Sequence, residues 1–151
     1  MLAMLFGASF TIITSCSNPV RSSKEGRHEG QAKGVVLFQN RHEIARYENG
    51  EVTGKITVAT GQETSPITIK FIAKDSDLFQ PDESGHFLDW EVHNSSIAKV
   101  EHRPEDGIWT FYIIGKSTGS TGVSLKLMHG EGEAAHAHLK TLPIPIIVNT
   151  N

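Results

Sequence analysis

The sequence predicts an all-β protein in which two sheets pack face to face. From Gly34 onward, no stretch repeats its apolar residues with the period of a helix. Short runs of β-branched and aromatic residues recur instead, separated by clusters of Gly, Pro, Asn, Asp and Ser. The chain has 14 glycines and 6 prolines among 151 residues, a composition that suits many turns and no long helix.

Alternation within the predicted strands indicates which side chains enter the core. Leu88, Trp90 and Val92 share one face of their strand, and Val123 and Leu125 share a face of a later one. This many short strands in about 115 residues is typical of an immunoglobulin-like Greek-key β-sandwich. The predicted strands are 35–38, 43–47, 55–59, 67–73, 87–93, 98–102, 108–114, 122–129 and 136–148.

The single cysteine excludes an intramolecular disulfide between the sheets and any cysteine-clustered zinc module. Aromatic residues must then fill the centre of the sandwich. We expect Trp90 to be the central core aromatic and Phe111 to be buried with it between the two sheets.

The segment Trp90–Val100, with sequence WEVHNSSIAKV, resembles a signature of bacterial Ig-like domains. The glycines at 115, 119 and 122 resemble that family's turn and the strand that follows it, and residues 144–148 resemble its closing strand. The resemblance covers residues 52–149 and implies an Ig-like domain, which we place at 35–151. It implies little about activity, because such domains serve adhesion, spacing and ligand binding alike. The chain departs from the family in its last hairpin, which is rich in histidine, whereas the family has a short turn without distinctive residues.

The first 15 residues are uncharged and contain an apolar run that is too short to span a membrane but suits a signal peptide. The run ends at Ile13-Thr14-Ser15-Cys16, which resembles the lipobox of bacterial lipoproteins. That resemblance implies that Cys16 is lipidated, and Ser17 then favours sorting to the outer membrane. A buried N-terminal strand with an incidental cysteine is the alternative interpretation.

Residues 17–34 contain little apolar surface with which to offset the entropy of ordering, so we expect a flexible tether after Cys16. The sequence thus predicts a signal peptide (1–15), a lipidated cysteine with its tether (16–34) and one folded domain. The expected location is the bacterial cell envelope, anchored by lipid to the outer membrane and facing the periplasm.

Charge and motifs exclude two classes of function. The chain has 14 basic and 17 acidic residues and a net charge of -3, which does not suit a nucleic-acid-binding protein. No Ser, Cys or Asp lies in a recognisable nucleophile motif, so we do not expect an enzyme.

The eight histidines are the unusual feature of the composition, and three of them lie in residues 129–138. The intervening turn predicts a hairpin in which His129 and His136 face each other across two strands. His129 shares parity with the core residues of its strand, and His136 and His138 share parity with Leu142 and with Ile144, Ile146 and Val148, provided that no bulge intervenes.

His86 has the parity of Leu88 and begins the strand that contains Trp90. In an Ig-like topology the loop before that strand and the last hairpin lie at the same end of the sandwich. We therefore expect His86, His129, His136 and His138 to converge at the mouth of the core, with ring nitrogens about 3–4 Å apart, as around one tetrahedral ion.

Neutral imidazole is a good ligand for zinc, copper and nickel, and Met128, the nearest sulfur, has the opposite parity from His129. The sequence therefore predicts a site for zinc or Cu(II) that serves acquisition, buffering or delivery of the ion. Three alternatives stay open: a weak surface chelator, a solvated loop without metal, and an adhesion or assembly module that binds an envelope protein or a glycan. Glu131 and Glu133 are expected to be solvated, with a role as outer ligands as the alternative.

Overall fold

A computed structural model describes residues 32–81 and 84–151, and it confirms the predicted all-β sandwich. Two three-residue 3₁₀ turns, Pro104–Asp106 and Gly132–Ala134, are the helical segments of the described residues. In this part of the chain no helix is long and apolar enough to cross a membrane. The strands are β1 (Gly34–Gln39), β2 (His42–Glu48), β3 (Glu51–Gly54), β4 (Ile56–Ala59), β5 (Ile67–Ile72), β6 (Leu78–Phe79), β7 (His86–Val92), β8 (Ala98–His102), β9 (Thr110–Gly115), β10 (Gly119–His129), β11 (His136–Lys140) and β12 (Ile144–Asn149).

The strands form two sheets with immunoglobulin-like connections. The first sheet has the order β3-β2-β1-β5-β9-β8, with the short β6 added to β5. In the second sheet β10 pairs with β7, β11 and β12, and β4 pairs with β12 in parallel. Residues 126–129 of β10 pair with both β7 and β11, so these two strands lie at opposite edges of β10. Side chains of both strands therefore lie beside the C-terminal end of β10.

The core lies between the two sheets, and alternate residues of the longer strands form much of it, among them Ile67, Ile69 and Phe71 of β5 and Val123, Leu125 and Leu127 of β10. Phe111 is fully buried there, as predicted. Trp90 is not the central aromatic residue: it is only partly buried, and its ring lies 5.6 Å from that of His102. Trp109 takes the inner position, packed edge-to-face on Phe71 with ring centroids 5.1 Å apart.

A hydrogen bond satisfies the indole N–H of the buried Trp109. A buried indole N–H needs an acceptor, and the Trp109 Nε1–H donates to the carbonyl of Pro81 at 3.0 Å. Parity within a strand selects a face but carries no information about which tryptophan finds such an acceptor.

The single strand predicted over 136–148 is two strands in the structure. β11 ends at Lys140 and β12 begins at Ile144, with Thr141 buried between them. The Leu125 N–H donates to the Thr141 hydroxyl oxygen, and the Thr141 N–H donates to the Leu125 carbonyl. This local anchor replaces the regular ladder and lets the chain change register between the two strands.

The N-terminal predictions fall largely outside the described residues. The signal peptide over 1–15, Cys16 and the tether up to residue 31 are not covered. The last residues assigned to the tether join the domain: the Lys33 N–H donates to the Ile72 carbonyl, and Gly34 begins β1.

Candidate metal centre

Three histidines form a row across one end of the second sheet. His86 at the start of β7 pairs with His129 at the end of β10, and His129 pairs with His136 at the start of β11. Residues directly opposite each other on neighbouring strands project their side chains to the same face. Since Leu127 and Leu125, on the same face of β10, are core residues, the row lies on the face that is turned toward the first sheet.

His138 joins this row because of a bulge in the β10–β11 ladder. Met128 pairs with Ala137 and Leu127 pairs with Leu139, so His138 is the extra residue between two regular pairs. A bulge re-aims the side chain of the extra residue. The His138 ring lies beside the other imidazoles, with centroids 5.0 Å from His129 and 4.9 Å from His136.

The expectation of an unbroken strand from His136 to Val148 is therefore wrong. The imidazole rings that it was expected to bring together do nevertheless converge. Leu142, expected to point inward with the histidines, is 50% exposed. Leu139, of opposite parity, packs against the core instead. Uninterrupted alternation would place His138 and Leu139 on opposite faces of the strand. The extra residue of the bulge shifts the alternation by one position, so both side chains lie on the same face.

The nitrogens of three histidines lie close enough to hold one metal ion. One ligand atom from each of His129, His136 and His138 lies within 4.8 Å of the other two. The Nε2 atoms of His136 and His138 are 3.1 Å apart. The group contains no carboxylate, and Glu131 and Glu133 are exposed in the adjoining turn.

A backbone hydrogen bond orients the exposed His136 ring. Its Nδ1 lies 3.2 Å from the carbonyl oxygen of Ala134, at the end of the 3₁₀ turn. A carbonyl can only accept, so Nδ1 carries the proton in this contact, and in the neutral ring Nε2 then keeps its lone pair. Such a bond to the second nitrogen is the arrangement by which proteins orient a metal-binding imidazole.

His86 lies on the inner side of this group. Its side chain is 5% exposed, and its ring stacks on that of His129 with centroids 4.5 Å apart. The His86 centroid is 5.8 Å from that of His138. The four predicted rings thus lie together, and the three of the compact nitrogen group lie toward solvent from His86.

A glycine in a left-handed conformation lies beside the His129 ring. Gly85 has φ +74°, a conformation that side chains rarely adopt, and a Cβ at this position would stand 3.5 Å from Cδ2 and Nε2 of His129. The Gly130 N–H donates to the Gly85 carbonyl, which joins the two loops that flank the cluster. A residue with a side chain would be strained at position 85 by this positive φ, whereas its Cβ would be in ordinary van der Waals contact with the imidazole.

Histidines that the sequence left without a role make other contacts. The His93 Nε2 lies 3.2 Å from the Ser124 hydroxyl, on the opposite face of the second sheet. The His102 Nε2 lies 3.2 Å from the carbonyl of Ile108. His42 is exposed in β2, and His28 lies outside the described residues.

The resolved charge interactions of the second sheet are on its outer face. Lys126 pairs with Asp89 at 2.8 Å, and their hydrogen bond holds the pKa of the Asp89 carboxyl below its usual range. The row of imidazoles lies on the opposite, inner face of β10, away from this ion pair.

No protein-family model and no curated protein matches this chain. Among solved structures, the chain is similar to one titled "Crystal structure of the S-layer protein SbsC domains 4 and 5", with 17% sequence identity and a TM-score of 0.43. The match covers 77% of this chain and 54% of that one, so it spans about half the length of that structure. The resemblances to bacterial Ig-like domains and to lipoproteins, and the assignment of Cys16, therefore remain predictions from the sequence.

Proposed function

We propose that this domain binds one zinc or Cu(II) ion through His129, His136 and His138, with His86 as the fourth ligand. The observation that supports this most directly is the compact group of three imidazole nitrogens. Ligands about 2.0–2.1 Å from a tetrahedral ion are separated by about 3.3 Å. The 3.1 Å between the Nε2 atoms of His136 and His138 is close to that value.

The separations of the rings support a role for His86. Five of the six centroid separations among the four rings lie between 4.5 and 5.8 Å. Four imidazoles held at about 2.0–2.1 Å around one ion have centroids about 5 Å apart. Ligation by His86 requires its ring to turn from the stack on His129 toward the ion.

The donors select the class of ion. Imidazole nitrogen suits zinc, copper and nickel, whereas thiolate and thioether favour Cu(I). Met128 is paired with Phe87 and Ala137 on the other face of the sheet, so its sulfur is turned away from the cluster. Zinc and Cu(II) are therefore preferred over Cu(I).

The proposed physiological role is acquisition, buffering or delivery of the ion at the bacterial cell envelope. The lipobox-like residues 13–16 support anchoring by a lipid on Cys16. The exposure of His136 supports exchange, because an ion held partly by an exposed imidazole can be passed to a competing ligand without unfolding the domain.

Calorimetric titration with zinc and with Cu(II) tests the metal site, using the chain with Cys16→Ser so that no thiol competes. We expect one ion per chain and a loss of at least about tenfold in affinity for His138→Ala, or about 1.4 kcal/mol. His42→Ala, which removes an exposed imidazole from the first sheet, is the matched control and should bind normally. Equal affinity for all three proteins would overturn the proposal.

An adhesion or assembly module is the second candidate, favoured by an apolar strip on the outer face of the second sheet. Phe87 is 39% exposed and pairs with Met128, which in turn pairs with the exposed Ala137. If the titration shows no metal binding, the adhesion or assembly module becomes the preferred function. Pull-down of envelope proteins with the intact chain and with Phe87→Ser then tests whether the strip makes the contact.

A further inference from the structure

A second candidate site lies on the outer face of the first sheet, away from the histidines. A groove of about 310 Å³ runs beside the β1–β2 turn. We call it the Phe38 groove, and it is lined by Phe38, Asn40, Arg41, Pro66, Thr68 and Lys70. The Gln39 side chain donates to the Ser65 carbonyl at 3.3 Å and joins the two segments that form its walls.

Arg41 is held in a backbone conformation that a side chain disfavours. Asn40 and Arg41 form the two-residue turn between β1 and β2, with φ +51° and +68°. The β2–β3 turn has the same length and is formed by Asn49 and Gly50, with φ +54° and +82°. Asn-Gly is the favoured pair for such a turn because glycine has no Cβ to clash. The chain thus has arginine where its own second turn has glycine, and this arginine lines the Phe38 groove.

The charge environment of the two groove cations favours an external anion. Within residues 32–81 and 84–151, neither Arg41 nor Lys70 forms an ion pair with a carboxylate. Arg46, on the neighbouring strand, binds both Glu43 and Glu48. The Lys70 ammonium lies 5.8 Å from the centroid of the Phe38 ring. Two cations beside an apolar ring therefore remain available to an anion from outside.

We propose that the Phe38 groove binds a carboxylate-bearing saccharide, such as a uronic acid unit of an acidic polysaccharide. The planar guanidinium of Arg41 matches a carboxylate with two hydrogen bonds, and Lys70 adds a second positive charge. Phe38 and Pro66 offer an apolar surface to the C–H face of a sugar ring. The Asn40 amide and the Thr68 hydroxyl can bind its hydroxyl groups. The exposed rim leaves room for the polymer to continue beyond the bound unit.

The test is a titration of the ¹⁵N-labelled chain with trigalacturonate, followed by amide chemical shifts, with a chelator present so that the histidine cluster holds no metal. We expect shifts at Phe38, Arg41, Thr68 and Lys70. The methyl ester of the same trisaccharide, which lacks only the charge, should bind at least about tenfold more weakly.

Arg41→Gly separates binding from folding. It restores the favoured Asn-Gly turn, so its thermal midpoint should equal or exceed that of the parent chain, while its affinity should fall at least about tenfold. Lys70→Gln should also weaken binding. Lys74→Gln removes an exposed lysine outside the groove and should change neither quantity.

Four results would overturn the assignment. These are absence of shifts at about 10 mM trigalacturonate, equal binding of the methyl ester, equal weakening by Lys74→Gln, or inorganic phosphate producing the same shifts at the same concentration. The last result would mean a general anion site rather than a saccharide site.

Discussion

The Nε2 atoms of His136 and His138 lie 3.1 Å apart, although only His136 belongs to the regular ladder between β10 and β11. His136 keeps its place opposite His129, whereas His138 is the extra residue of a bulge. The Nδ1–H of His136 is directed to the Ala134 carbonyl, so its Nε2 accepts in the metal-free protein. The proton between the two Nε2 atoms then belongs to His138, and a metal ion must replace it.

Metal binding should stabilise the fold. An ion that binds the folded chain alone adds about 2.7 kcal/mol at a free concentration of 100 times Kd. We expect zinc to raise the thermal midpoint of the parent chain and to leave that of the His136→Ala, His138→Ala double variant unchanged. Differential scanning calorimetry with and without zinc measures both, and an equal rise in the two proteins would contradict the site.

Metal affinity should fall as the pH is lowered. Ligation requires neutral rings, so protons compete with the ion as the pH falls. We expect the apparent affinity for zinc to decrease steeply between about pH 7.5 and 5.5. Titrations in noncoordinating buffers provide the measurement. A constant affinity over that range would mean that the ion is bound by groups other than histidine.

Leu127→Ala should destabilise the domain much more than Leu142→Ala. Leu127 is 1% exposed and Leu142 is 50% exposed, although simple parity gives both an inward direction. Removing a buried leucine side chain costs about 2–5 kcal/mol. The exposed leucine should cost less than about 0.5 kcal/mol. Urea unfolding measures the free energy of unfolding of the two variants. Similar losses of stability would contradict the register change after Lys140.

Trp109→Phe should cost more stability than Trp90→Phe. The first change removes a buried indole whose N–H donates to the Pro81 carbonyl and leaves that carbonyl without this donor. The expected loss is about 1–3 kcal/mol. Trp90 is only partly buried, so its replacement should cost less. Chemical denaturation followed by circular dichroism avoids the loss of the fluorescent probe, and the reverse ranking would restore Trp90 as the central aromatic residue.

Asp89→Asn should reduce the acid sensitivity of the fold. The hydrogen bond from Lys126 lowers the pKa of the Asp89 carboxyl in the folded state, so the folded chain favours the ionised form. This contribution is present above the ordinary carboxyl pKa and is lost as the pH falls through the lowered folded value. It is smaller than about 1 kcal/mol because the carboxylate is still hydrated.

Unfolding free energies of the parent and Asp89→Asn chains should therefore differ near about pH 6, and the difference should shrink as the pH falls through the lowered folded pKa of Asp89. A difference that is constant over this range would mean that the substitution acts by packing rather than by charge.

The sequence by itself determined the class of fold and the neighbourhood of the histidines. Alternation places Leu88, Val123 and Leu125 in the core, because the side chains of any strand project to its two faces in turn. The Ig-like order of the strands brings the start of β7 beside the end of β10. That is sufficient to place His86 next to His129 without knowledge of any contact.

Tertiary structure alone decided where the alternation is interrupted. The bulge at His138 and the anchor at Thr141 are set by the pairing of β11 with β10 and by the hydrogen bonds between Thr141 and Leu125. Local sequence does not encode these interactions, because they depend on which partner groups the folded chain presents. The same is true of Trp109, whose burial required an acceptor 28 residues away, and of Arg41, whose left-handed conformation is imposed by the pairing of β1 with β2.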